Sequence, residues 1–198
     1  MKLVLATQNP KKLKEMNEIL SHLGVEVVSE AELGVRIEVE DTGETFTDNA
    51  RLKATAVMQA TGLPAVADDS GLCVDALNGG PGVYSARFGG EGLDDKGRYT
   101  LLLEMLRGQT DRAAHFHTSI VCAFPNGDEL VCEGECPGTI AFAPMGEGGF
   151  GYDPVFFVPE LRKTFGQLTA EEKASVSHRG KALRAFAAAL DDYLKGNE

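Results

Sequence analysis

The apolar positions of this chain change period several times, and each change marks an element. "KLVLAT" near the start is a short apolar run of strand length. In "NPKKLKEMNEILSHLG", Leu13, Met16, Leu20 and Leu23 recur at helical spacing. Asn9 is a good cap for that helix, Pro10 fits its first position, and Gly24 stops it. "VEVVSE" reads as a second strand. "TDNARLKATAVMQATG" predicts a second helix, with Thr47 as cap and Gly62 as stop. "LPAVADDSG" predicts a buried strand ending in two carboxylates. A Gly/Pro-rich stretch, "NGGPGVYSARFGGEG", separates it from a third helix in "DDKGRYTLLLEMLRG".

Two longer apolar runs follow, "AAHFHTSIVCAF" and "ELVCEGECPG". Between them Asn126-Gly127 is a strong turn signal, which predicts a β-hairpin. "DPVFFVP" predicts a further strand. The C-terminal part offers a capping box, Thr169 with Glu172. A last helix places Leu183, Phe186, Leu190 and Tyr193 or Leu194 on one face. Strands alternating with helices, then a hairpin, argue for a mixed α/β sheet. No repeat, low-complexity linker or boundary is visible, so residues 1–198 are expected to form a single domain.

Composition narrows the function classes. At 43% hydrophobic and 25% charged residues the chain has an ordinary globular make-up. No stretch approaches the roughly 20 apolar residues of a membrane span, so no membrane partner is expected. The opening "MKLVLATQNPKK" reads as a first strand and not a signal peptide, which sets a cytoplasmic expectation. The net charge of −11, with no Lys/Arg-rich run, argues against a nucleic acid polymer as partner. A small anion is compatible, because a few convergent cations or a metal reverse the local field. Cys73, Cys122, Cys132 and Cys136 form no C-x-x-C pair and complete no zinc set. They are expected to be reduced and buried.

Three stretches carry candidate chemistry. "MGEGGFGYD" contains Gly146, Gly148 and Gly151 in the G-x-G-x-x-G spacing of dinucleotide loops. That loop must open into a helix. Here the strand-like "YDPVFFVP" follows, so a dinucleotide enzyme is rejected. The glycines still allow close backbone approach beside Phe150 and Asp153, where a flat base could stack and hydrogen-bond. The competing reading is a plain turn with Phe150 in the core. "LATQNPKK" is a strand–helix junction suited to an anion, with Thr7, Asn9, Lys11 and Lys12. Two lysines in a first helical turn oppose the dipole; the bland alternative is a solvated face. "VADDSG" and "VEDTG" bring Asp68 and Asp69, and Glu40 and Asp41, as hard oxygen donors suited to Mg²⁺. Asp69 or Ser70 could equally be a local turn cap. Lys53, Lys173, His178 and Arg179 are further polar candidates. Together these groups suggest nucleoside triphosphate chemistry.

"LATQNPKK", "ADDSGL", "PGVYSARF", "GGFGYDPVFF" and "SHRGKAL" resemble, in order and along nearly the whole chain, the inosine/xanthosine triphosphate pyrophosphatase (Ham1-like) family. The resemblance implies an α/β fold: an elongated mixed β-sheet flanked by helices, forming two lobes with a central cleft. It implies Mg²⁺-dependent hydrolysis of ITP, dITP and XTP to the monophosphate and pyrophosphate by a homodimer. Residue by residue, it puts the triphosphate on Thr7, Gln8, Asn9, Pro10, Lys11, Lys12 and Lys53, and the metal on Glu40 and Asp69. Asp69 matches the general base and Ser70 a substrate contact. Phe150, Gly151, Tyr152 and Asp153 match the base-binding wall, and Lys173, His178 and Arg179 the rest of the base pocket. Many members have Gly where this chain has Gln8. A pyrophosphatase for other modified nucleotides, and a non-catalytic nucleotide sensor, are the rival readings.

Overall fold

Alternation of strand and helix follows from the apolar pattern, and the computed structural model describes it for residues 1–197. In chain order the elements are β1 (Lys2–Leu5), α1 (Pro10–Leu20), β2 (Glu26–Ser29), α2 (Phe46–Thr61), β3 (Ala65–Val74) and β4 (Gly80–Pro81). They continue with α3 (Asp95–Met105), β5 (Ala113–Ala123), β6 (Glu129–Ile140), β7 (Phe156–Val158), β8 (Lys163–Thr164), α4 (Ala170–Val176) and α5 (His178–Gly196). No described helix is long and apolar enough to cross a membrane. The described chain divides into two compact units, to both of which β3, β5 and β6 contribute.

The first unit comprises Met1–Asp69, Thr118–Gly134 and the chain from Lys181 onward. Here β1 lies between β2 and β3 and runs parallel to both, with Val4 opposite Val28 and Ala65. Next to β3 come β5 and then β6. Successive strand residues face opposite sides, and both sides are covered. Leu3, Leu5, Val66, Ile120 and Cys122 pack with Met16 and Leu20 of α1 and with Leu183, Phe186 and Leu190 of α5. The alternate residues Val4, Ala65, Ala67, Val121 and Ala123 meet Ala50, Ala54 and Val57 of α2. Small alanines on α2 let that helix approach the sheet closely.

The second unit comprises Ser70–His117 and Glu135–Gly180. Its strands run in the order β4, β3, β5, β6, β7, β8. The β6–β7 and β7–β8 pairs are antiparallel. Phe116, Phe156 and Phe165 form its aromatic centre: Phe116 meets Phe156 edge-on at 4.6 Å and stacks on Phe165 at 5.4 Å between centroids. The hydroxyl of Ser85 ties the Gly/Pro-rich stretch to β3, accepting from the Leu72 amide at 2.9 Å. Tyr152 donates to the Ser85 carbonyl at 2.6 Å, and burial pushes its phenol up to about 12.

Most predicted boundaries survive. Asn9 caps α1 by accepting from the Lys11 amide, Gly62 ends α2 in the left-handed region, and Thr169 with Glu172 forms the capping box of α4. Two details change. The cap of α2 is Thr45, which accepts from the Asp48 amide, and not Thr47, whose hydroxyl donates instead to Ser119 at 2.9 Å. Asp68 and Asp69 also lie within β3, not at its end, because pairing continues to Val74. All four cysteines are free; Cys73 is half-buried where burial was expected.

Candidate active site

The first unit gathers the candidate phosphate and metal residues. Where β1 gives way to α1, Thr7 Oγ1 accepts the Asn9 amide at 3.1 Å and Asn9 Oδ1 accepts the Lys11 amide at 3.0 Å. Gln8, Asn9, Pro10 and Lys11 are exposed there, and Thr7 and Lys12 are half-buried. Thr7, Gln8, Asn9 and Pro10 line one side of a cavity of about 340 Å³.

Pleating sends Asp68 and Asp69 to opposite sides of β3. Asp68 accepts from Lys12 Nζ at 2.7 Å. Asp69 meets Lys53 Nζ at 3.2 Å, and Asp41 reaches the same ammonium at 3.0 Å. Burial pushes the Asp69 carboxyl above its ordinary value, although Lys53 and Asn49 pull the other way. Burial also works against the Lys53 ammonium, but Asp69 and Asp41 together outweigh it and hold its pKa above the usual value. Glu40 is exposed in the loop just ahead of Asp41. The result is a lysine clasped by two carboxylates, with a third beside them in sequence.

Sequence reasoning missed Asn49. It is fully buried, and its Nδ2 donates to Asp69 Oδ2 at 3.2 Å while its Oδ1 accepts the Gly43 amide at 2.7 Å. A methyl group at position 43 would stand 2.6 Å from that oxygen, so glycine is required there. The signal was available: Asn49 and Lys53 are four residues apart and share one face of α2. Thr118 also escaped notice; its hydroxyl donates to the Asp69 carbonyl at 3.2 Å.

The second unit gathers the candidate base-binding residues, beginning with Ser70, which is exposed. Phe150 is 76% exposed and so does not belong to the core. Lys173 Nζ lies 4.7 Å from its ring centroid and donates to Asp153 Oδ2 at 2.5 Å. The same oxygen accepts the Phe150 amide at 3.0 Å. Asp153 is buried, which pushes its carboxyl up against the opposing pull of Lys173 and that amide. The glycine cluster owes its composition to this loop: Gly149 has φ of +74°, and a methyl there would come within 2.0 Å of Asp153 Oδ2. The Gly151 amide donates to Asp95 at 2.8 Å. The Tyr152 side chain is buried on Ser85, so its backbone is what it can present. His178 stacks on Phe116 at 4.8 Å and 13°; Arg179 follows it in the first turn of α5. An exposed ring beside an anchored ammonium and carboxylate is suited to stacking and hydrogen-bonding a heteroaromatic base.

The sequence profile of the Ham1 family matches residues 3–189. The dITP/XTP pyrophosphatase of Exiguobacterium sp. is 50% identical over 196 residues, covering 99% of this chain and all of the relative. That of Thermus thermophilus is 52% identical over 194 residues, covering 97% and 93%. The solved Ham1 protein of Coxiella burnetii superposes with a TM-score of 0.93 at 42% identity, covering 97% of this chain and 99% of that one. The Staphylococcus aureus Ham1 structure gives 0.92 at 40% identity, with both chains fully covered.

Proposed function

The chain belongs to the Ham1 family, and from that premise we infer that it is a nucleoside-triphosphate pyrophosphatase. It hydrolyses the non-standard purine nucleotides ITP, dITP and XTP to the monophosphate and pyrophosphate, removing them from the nucleotide pool. The reading extends over the whole chain as one catalytic domain, supported by a family match spanning residues 3–189. The observation that carries the chemistry is Asp69, a part-buried carboxylate oriented by Asn49 and Lys53.

Asp69 is the general base. It takes the proton from a water that attacks the α-phosphorus; the α–β anhydride bond breaks, and pyrophosphate leaves. The raised pKa of Asp69 suits the task, because a base works best with a pKa nearer the operating pH. Thr7, Gln8, Asn9, Pro10, Lys11 and Lys12 bind the phosphate tail through amides, hydroxyl and ammonium groups. Lys12 and Lys53 balance the charge that develops on the leaving pyrophosphate. No serine or cysteine nucleophile is needed.

The donors around Lys53 are carboxylate oxygens, and two of them already enclose a cation. That set fits a hard divalent ion such as Mg²⁺, with Glu40 and Asp69 as the residues to hold it. Bound there, Mg²⁺ would draw charge from the phosphate oxygens. Phe150 stacks on the purine, while Gly151, Tyr152 and Asp153, with Ser70, Lys173, His178 and Arg179, supply its polar contacts. A donor such as Arg179 aimed at the 6-carbonyl accepts inosine and xanthosine. It meets the adenine 6-amino group donor to donor, which costs an unpaired buried group. From the sequence reading we take the enzyme to be a cytoplasmic homodimer that binds neither nucleic acid polymers nor membranes.

A substrate panel of ITP, dITP, XTP, ATP and dUTP tests this, run with and without Mg²⁺ and read as monophosphate and pyrophosphate. The expected result is Mg²⁺-dependent release from the first three, with ATP roughly 10²-fold or more slower. Preference for dUTP would assign the enzyme to other modified nucleotides. ITP binding without product would make it a sensor.

Asn49 gives a sharper prediction. In Asn49→Ala, Asp69 loses a hydrogen bond that lowers its pKa, so that pKa rises further. The acid limb of the pH–rate profile should therefore move to higher pH. The Gly43 amide loses its acceptor, at a cost of about 1–3 kcal/mol in urea unfolding.

A further inference from the structure

A second cluster of metal-ligating side chains shares no residue with the site above. His115 and His117 stand two apart on β5 and so face one side. Phe116 between them points the other way, into the aromatic centre of the second unit. Glu135 of β6 completes the group. Its Oε1 lies 3.0 Å from His117 Nδ1 and 3.9 Å from His115 Nε2, and the three ligand atoms all fall within 4.8 Å of one another. Two donors on one ion with bonds of about 2.1 Å stand roughly 3.0–3.4 Å apart. Small side-chain rotations therefore bring this trio to ligating distance. The side chains are 34%, 15% and 59% exposed, so water can enter and fill the remaining positions.

We propose that His115, His117 and Glu135 bind a divalent transition cation, Zn²⁺ foremost, at a site distinct from the Mg²⁺ carboxylates. Two imidazoles with one carboxylate are the donor set of zinc and its neighbours, and a poor one for Mg²⁺. The bound ion fastens β5 to β6 within the second unit. It stabilises the folded chain in proportion to its preference for the folded over the unfolded state.

The full-length protein, stripped with a chelator, is titrated with Co²⁺ as a spectroscopic probe, then with Zn²⁺ as competitor. The expected result is one equivalent of nitrogen-ligated Co²⁺ with visible ligand-field bands. Zn²⁺ displaces it and a hundredfold excess of Mg²⁺ does not. His115→Ala/His117→Ala removes the bands and weakens binding at least tenfold, and Glu135→Gln, at an exposed side chain, weakens it likewise. Asp69→Asn and His22→Ala bind as the parent does. Equal binding by the parent and the histidine double variant overturns the proposal, as does a parent that gives no such bands. Loss of binding in Asp69→Asn also overturns it, because the ion then sits at the catalytic carboxylates. Thermal melts without metal confirm that each variant is folded.

Discussion

Replacing Asp69 by Asn is expected to lower kcat for ITP by roughly 10³-fold, within the range for loss of a general base, while leaving the fold intact. The substitution keeps the shape and removes the group that accepts the water's proton. It also removes one of the two carboxylates proposed for Mg²⁺, so the Mg²⁺ concentration for half-maximal rate rises. Asp69 has a raised pKa, so the native state holds its proton more firmly than the unfolded chain does. Its contribution to stability is present below the ordinary carboxylate range and is lost as pH rises through the folded value. At neutral pH that contribution is gone, while Lys53 loses one of the two charges that offset its burial, so the variant should melt near the parent's temperature. Lys53 keeps Asp41 at 3.0 Å, so no buried cation is stranded. A turnover within threefold of the parent would remove Asp69 from the mechanism. A lost fold would leave the base assignment to Asp69→Glu, which moves the carboxylate but keeps the charge and should show the same fall in kcat.

What the sequence made legible was local. Asn9, Pro10 and the Thr169–Glu172 pair announce helix starts because a cap is satisfied within three residues of itself. The hairpin and the helix stops are local for the same reason. What escaped was set by pairing across the chain. Lys12 and Asp68 are 56 positions apart, and nothing near either predicts their 2.7 Å contact. Thr47 and Thr45 are both plausible caps. The choice turns on Ser119, 72 positions away from Thr47, which takes the Thr47 hydroxyl as donor. "DDSG" looked like a turn because Asp, Ser and Gly favour turns, but antiparallel pairing with β4 carries the strand on to Val74. Asn49 is a buried linker between a loop amide and a carboxylate, and both partners come from outside its helix. In the candidate site, then, the residue types were legible and their partners were not. Asp41, one of the four carboxylates the sequence offered, shares the Lys53 ammonium with Asp69.

Removing Asp153 should be the largest lesion on the base side. One oxygen, Oδ2, accepts both the Lys173 ammonium at 2.5 Å and the Phe150 amide at 3.0 Å. It thereby fixes the ammonium beneath the exposed ring and the ring's own backbone. In Asp153→Ala the ammonium loses its counter-ion and the loop its anchor, so the stacking surface is no longer held in place. The expected loss is about 10²-fold in kcat/KM for ITP, or about 2.7 kcal/mol. It should fall mainly on KM, since Asp153 takes no part in proton transfer. A merely structural role would lower stability without that split. The conservative Asp153→Asn separates charge from shape through pH. Burial raises the Asp153 pKa, so in the parent the charge that holds Lys173 is lost as pH falls through that raised value. KM should accordingly climb on the acid side. In Asp153→Asn the charge is absent at every pH, so KM should be high throughout and flat across the same window. A parallel acid-side climb in both proteins would show that another group governs the pH dependence and that Asp153 is not the electrostatic anchor of the base pocket.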